Sequence, residues 1–135
     1  MISKKLSSLL KTVKTIAIVG ASSNPQRDSY KVMKFLVDYG YKVFPVNPNE
    51  SNKNILNRKC YSNLNEIKQK IDMVDVFRSS KHVFDIAKEA VSINADILWT
   101  QEGVIDDNAA DFAKKEGLIV IMNECPKKIL IKSFK

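Results

Sequence analysis

The sequence predicts one α/β domain, a doubly wound and mainly parallel sheet with helices on both faces. Two observations predict it. Short apolar runs of strand length alternate with amphipathic helical segments through most of the chain, the pattern of β-α units joined by right-handed crossovers. The length of 135 residues suits a single domain, and a 44% hydrophobic content is enough to bury a core. No internal repeat or low-complexity linker divides the chain.

Residues 1–14, MISKKLSSLLKTVK, read as a basic, weakly amphipathic helix or arm ahead of the domain. They lack a long apolar stretch and a small-residue cleavage site, so they do not read as a secretory signal. Ile16 to Val19 is the first buried strand. The helix SYKVMKFLVDYG follows, with Val32, Met33, Leu36 and Val37 on one face. Asp28 or Ser29 is placed to cap its start, and Gly40 suits a left-handed residue past its end. YKVFPVNP is the second strand, stopped by Pro48; Pro45 within it points to a strand end or a sheet edge. NESNKNILNR is a polar loop, KCY a very short strand, and NLNEIKQK a short helix capped by Asn63.

MVDVFR is the next strand. Ser79 or Ser80 is placed to cap KHVFDIAKEAVSI, where Val83, Ala87, Ala90 and Val91 keep helical spacing. DILWT is a further strand. DDNAADFAKKEG is a helix by its charges, with acids in the first turn, Lys114 and Lys115 in the last, and Gly117 beyond. LIVIM closes the sheet. The domain is thus bounded at residues 15–126, and residues 127–135 form a basic C-terminal helix or arm.

The net charge of +7 invites a nucleic-acid partner, but its distribution argues against one. Residues 1–14 and 127–135 carry four lysines each and no acid, which leaves 14 basic and 15 acidic residues between them. The body is close to neutral, with no basic stripe, and the tails read as solvated ends. No apolar run is long enough to span a membrane. Cys60 and Cys125 show no metal-ligand spacing, and His82 cannot complete a usual zinc set. Two cysteines without a disulfide framework fit a reducing, cytoplasmic setting.

In such a sheet a ligand sits beyond the carboxyl ends of the strands, at the point where strand order reverses. The stretches to inspect are therefore GASSNPQRDSY, NPNESNK, FRSSKH, TQEGV and NECP. Gly20 allows a tight turn, and Ala21 and Ser22 let a phosphate approach the backbone beside a helix start. A dinucleotide fingerprint needs G-x-G-x-x-G and an acid at the end of the second strand. Here the later glycines are missing, and that strand ends in Val46, Asn47 and Pro48. A phosphoacceptor domain would need acids after the first strand and an aspartate ending the third, and neither is present.

IVGASSNPQRDSYKVMKFLVDYGYKVFPVNP, DMVDVFRSSKHV, WTQEGVIDDNAADFAKKEGL and VIMNECP together resemble the small stand-alone CoA-binding proteins. These are similar to the N-terminal domain of the succinyl-CoA synthetase α subunit. The resemblance implies a Rossmann-like fold and a ligand that is coenzyme A or an acyl-CoA. It places Gly20, Ala21, Ser22 and Ser23 at the CoA phosphates, with Arg27 near them and Ser29 and Tyr30 at the helix start. It places Asn47 and Pro48 against the nucleotide end with Lys53 nearby, and Phe77 and Arg78 beside the adenine or pyrophosphate. Gln101, Glu102 and Gly103 match a stretch beside the pantetheine arm. Two positions depart from the family pattern: Gln26 stands where glycine is frequent, and Glu124 replaces the basic residue of MDRCP.

The synthetase carries a histidine-bearing phosphoryl loop in a second domain, and this chain shows neither that domain nor a general-base pair. The expectation is a carrier, sensor or regulatory module rather than an enzyme, with a homo-oligomer or partner protein left open. The alternative is an NAD(P)-binding oxidoreductase subunit. A third reading has the basic tails bind a membrane or RNA. Several residues have plainer roles beside these: Tyr30 and Phe77 as packing, His82 as a first-turn residue, Trp99 as core. Cys125 lies near the ligand edge, and Asp75 is unexpected in a buried strand.

Overall fold

The computed structural model describes residues 2–133. Five parallel strands form one sheet in the order β2-β1-β5-β6-β7, from β1 (Thr15–Val19), β2 (Lys42–Val46), β5 (Met73–Val76), β6 (Ile97–Thr100) and β7 (Ile119–Ile121). The apolar runs alternate in facing, as the two-residue period of a strand requires. Ile16 and Ile18 of β1, with Met73, Ile97 and Trp99, enter a core under α1 (Ile2–Thr12), α2 (Asp28–Tyr39) and α5 (Pro126–Lys132). Ala17, Val19, Val74, Val76 and Leu98 face the other way, under α3 (Val83–Ser92) and α4 (Asp107–Lys115). Helices cover both faces, as expected of a doubly wound sheet.

The terminal segments differ from solvated tails. Leu6, Leu10 and Val13 at the first end, and Ile129 and Leu130 at the other, are core residues, while Lys4, Lys5, Lys11 and Lys14 face solvent. Charge counts alone hid the apolar face between the lysines. No helix is long and apolar enough to cross a membrane among the described residues.

Pro45 lies on an edge strand, as its missing N–H requires. The expected polar loop after β2 instead holds a hairpin of β3 (Asn54–Ile55) and β4 (Arg58–Lys59). Its two turn residues, Leu56 and Asn57, both have positive φ, 50° and 64°, as a primed hairpin turn demands. The Tyr61 amide then donates to Pro45 O at 2.9 Å, and Asn47 N to Tyr61 O at 2.8 Å, covering part of the β2 edge. NLNEIKQK shrinks to one short turn of 3-10 helix, but Asn63 caps it by accepting from Glu66 N.

Two expected caps are corrected. Arg27 occupies the cap position of α2 and no side chain bonds its free amides, so neither Asp28 nor Ser29 performs that task. Ser79 makes no cap bond either, and Ser80 Oγ accepts from Ile105 N at 3.0 Å instead. Asp106 does cap α4, through Ala109 N, and Gly40 ends α2 in a left-handed conformation.

Candidate functional site

The strand order reverses between β1 and β5: β1 connects to β2 on one side, and the chain then returns to place β5 on the other. A cleft opens above those two strand ends. Its first lobe, about 520 Å³, is lined by Gly20, Ala21, Ser22, Gln26, Arg27, Asp28, Ser29, Asn47, Asn49, Glu50 and Phe77. Its second, about 440 Å³, takes in Asp28 and Phe77 again and extends over Lys31, Val32, Arg78, Ser79, Gln101, Glu102, Val104, Cys125, Lys127 and Lys128. Asp28 and Phe77 wall both lobes, so the two adjoin as parts of one groove between the C-terminal edge of the sheet, α2 and α5.

Gly20 is the hinge of the first lobe. It has φ +93°, and a Cβ there would lie 2.4 Å from the Phe77 carbonyl oxygen and 3.1 Å from Arg78 Cδ. Only glycine lets β1 leave the sheet this close to β5. The turn donors are not all open. Gly20 N and Ala21 N both donate to Val46 O, at 2.9 and 3.3 Å. Asn47 fastens the same turn: its Nδ2 donates to Ala21 O at 2.8 Å, and its Oδ1 accepts from Asn49 N at 2.9 Å. Asn24 N donates to Ser22 Oγ. What remains open toward the lobe is the Ser22 amide and the uncapped start of α2, both suited to an anion.

An internal anion already uses part of this turn. The Glu50 carboxylate accepts from Ser23 N, at 3.0 and 3.3 Å for its two oxygens, and from Ser23 Oγ. Glu50 lies three residues beyond Asn47, so the β2 end does bring a carboxylate to the cleft. The reading of the strand end alone missed it because the intervening 3-10 turn (Pro48–Glu50) folds it back.

The second lobe is more apolar below and cationic at its rim. Five cationic residues, Arg27, Lys31, Arg78, Lys127 and Lys128, line the groove against three acidic ones, Asp28, Glu50 and Glu102. Lys128 is paired with Glu102 at 2.8 Å, and Lys127 Nζ lies 5.9 Å from the Phe35 ring centre. The side chains of Arg27 and Arg78 have no partner among the described residues. Two of the C-terminal lysines therefore belong to the groove rather than to a detached tail.

Beneath this lobe Asp75 is wholly buried on β5. Its Oδ1 accepts from Gln101 Nε2 at 2.7 Å, while Oδ2 is buried without a partner. Burial pushes the carboxyl up to about 7, and the Gln101 bond only partly offsets that. Burial also raises the thiols of Cys60 and Cys125, so neither is poised as a thiolate. No group of three or more potential metal ligands occurs among the described residues.

Of the residues singled out from the sequence, Gly20, Ala21, Ser22, Arg27, Ser29, Asn47, Phe77, Arg78, Gln101 and Glu102 line the groove. Ser23 is turned to Glu50, Tyr30 packs against the core, and Pro48 and Lys53 are exposed outside the lining. Gly103 lines neither lobe, and its amide donates to Asn123 Oδ1 at 2.7 Å. Sequence reading missed Glu50, Lys31, Lys127 and Lys128 as groove residues. For Lys31 the signal was present, one helical turn past Arg27 on α2.

This arrangement defines an α/β domain with a groove, lined by an uncapped helix start and five cationic residues, at the switch point of a parallel sheet. Residues 14–130 match the CoA binding domain family, and the chain belongs to that family. It is 37% identical over 123 residues to the uncharacterized protein YneT of Bacillus subtilis, covering 91% of this chain and 90% of that one. A solved structure of a hypothetical protein from Pyrococcus horikoshii superposes with a TM-score of 0.92 at 34% identity, over 98% of this chain and 92% of that one. The α subunit of acetate–CoA ligase [ADP-forming] I of Pyrococcus furiosus is 35% identical over 80 residues, 56% of this chain but 17% of that subunit. The chain thus spans about a sixth of the ligase subunit's length.

Proposed function

We propose that the groove binds coenzyme A or an acyl-CoA, as a carrier, sensor or regulatory module and without catalysing a reaction of its own. The observation that carries this reading is that the groove's two lobes adjoin across Asp28 and Phe77. The groove joins a phosphate-sized turn at Gly20–Ser22 to an apolar lobe with a cationic rim. A nucleotide with a long, mostly neutral arm needs both ends. The pyrophosphate would meet the Ser22 amide and the α2 start, with Arg27 and Arg78 as charge partners. The arm would run past Phe77 to Gln101 and Val104. Membership in the CoA binding domain family supports the same ligand. Two free, buried cysteines fit a reducing cytoplasm.

One observation favours a nicotinamide dinucleotide: Glu50 is a carboxylate at the β2 end, where ribose hydroxyls would need an acceptor. It is engaged by Ser23, however, and the glycine fingerprint is missing. A thermal-shift series with CoA, acetyl-CoA, NAD, NADP and ATP separates the readings. Ligand at a hundred times its dissociation constant adds about 2.7 kcal/mol. The expected result is stabilisation by CoA or acetyl-CoA above the others. Stabilisation by NAD alone, or by none of the five, refutes the proposal.

A further inference from the structure

We propose that Asp75 is a positioning residue that sets the polarity of the Gln101 amide, turning its carbonyl oxygen into the second lobe as an acceptor for an amide N–H of the pantetheine arm. This rests on the CoA reading above. A glutamine amide can present either end to a ligand, and its own shape does not decide which. Here the choice is made from below. Gln101 follows β6 and is 6% exposed; its Nε2 donates to Asp75 Oδ1 at 2.7 Å, on a side chain that is 0% exposed. Gln101 Oε1 has no partner and, unlike Asp75 Oδ2, is not sealed from solvent. Because Gln101 lines the lobe, that open oxygen belongs to the lobe's surface.

The carboxyl is an expensive way to hold an amide. Asp75 sits between Ile18 and Trp99 on the flanking strands, and one of its oxygens is buried unpaired. Such a group destabilises the fold relative to an apolar residue. It fits a functional task above pH 7, where the carboxyl has lost its proton: an ionised carboxylate can only accept and so rejects the flipped amide, whose oxygen would face its lone pairs. The lobe's other polar side chains are the Ser79 hydroxyl and ionic groups, among them Arg78, Glu102, Lys127 and Lys128. Gln101 is the lobe's one side-chain amide, matched to a neutral amide.

The test compares two ligands on one set of proteins: CoA, and adenosine 3′,5′-bisphosphate, which lacks the arm. The variants are Asp75→Val, Gln101→Ala, the double variant and Asp75→Asn, each titrated by calorimetry above pH 7, where Asp75 is ionised. The expected result is about a tenfold loss of CoA affinity in each of the first two, the worth of one hydrogen bond. Bisphosphate affinity stays unchanged, and the double variant loses no more than Gln101→Ala. Asp75→Asn, which has both an oxygen and N–H donors and so can meet either end of the Gln101 amide, loses less CoA affinity than Asp75→Val. Equal losses for both ligands, additive losses in the double variant, or a folded Asp75→Asn that loses more CoA affinity than Asp75→Val each overturn the proposal. A wild-type protein that binds the bisphosphate no more weakly than CoA overturns it too. Failure of the wild type to bind either ligand instead removes the CoA reading beneath it.

Discussion

Replacing Gly20 with alanine tests the geometry of the groove at its narrowest point. The new Cβ would lie 2.4 Å from Phe77 O and 2.9 Å from Phe77 C, both backbone atoms of the strand end. They cannot rotate away like a side chain. Relief requires β1 and β5 to part by about 1 Å, a van der Waals correction. That strains the bond from Phe77 N to Val19 O, 2.7 Å long, which contributes about 1 kcal/mol. The φ of +93° adds about 1–2 kcal/mol for any residue with a Cβ. The expected loss is about 3 kcal/mol, or about 10 °C in melting temperature for a chain of this size. Urea unfolding of wild type, Gly20→Ala and Gly40→Ala separates the two contributions. Gly40 has φ +118° but nothing within 4 Å, so its variant loses the conformational part alone. Equal destabilisation by the two substitutions would refute the close contact. A Gly20→Ala protein within about 1 kcal/mol of wild type would refute the strain as well.

Three further outcomes follow from the same geometry. Arg78→Ala and Arg27→Ala weaken CoA binding by about tenfold each, the worth of a charge-assisted bond, with a shallower salt dependence than wild type; unchanged affinity in both excludes them as phosphate partners. Glu50→Gln removes the internal anion from the Ser23 donors and raises CoA affinity several-fold in equilibrium titration, whereas a fall in affinity would make Glu50 a ligand acceptor instead. Asp75 holds its proton up to about pH 7 when folded, against 3.8 in the unfolded chain. Stability is therefore greatest below the lower value and falls as pH rises between the two, because the unfolded chain releases its proton first. The span of about three pH units corresponds to at most about 4 kcal/mol. Asp75→Asn flattens this slope in denaturant titrations across pH 4 to 7; an unchanged slope assigns the effect elsewhere.

Much of the fold was legible because strands and helices announce themselves by period. Ile16 to Val19 is a continuous apolar run, and Met73 to Val76 is one broken only by Asp75, which is what burial on both faces demands. The hairpin at Asn54–Lys59 was not legible, since its strands are two residues each and Leu56 is an uncommon occupant of a positive-φ turn. The turn at Gly20 was readable from residue types alone. The contribution of Glu50 was not, because a 3-10 turn returns it to a cleft that its sequence position only adjoins. Lys127 and Lys128 were assigned to a tail by charge counting. Their place at the groove depends on Ile129 and Leu130 docking α5 into the core, a packing fact rather than a charge fact. Asp75 was visible as an anomaly, and its partner Gln101, 26 positions away, could be named only once β5 and β6 were adjacent.

The most direct test of the central claim is a backbone amide NMR titration with CoA. The account predicts the largest shifts at Ser22, Asp28 and Ser29, where donors are open to a pyrophosphate, with a second set at Gln101 and Val104 that adenosine 3′,5′-bisphosphate does not reproduce. Shifts confined to the lysines of α1, or no saturable change at any of these amides, would contradict it.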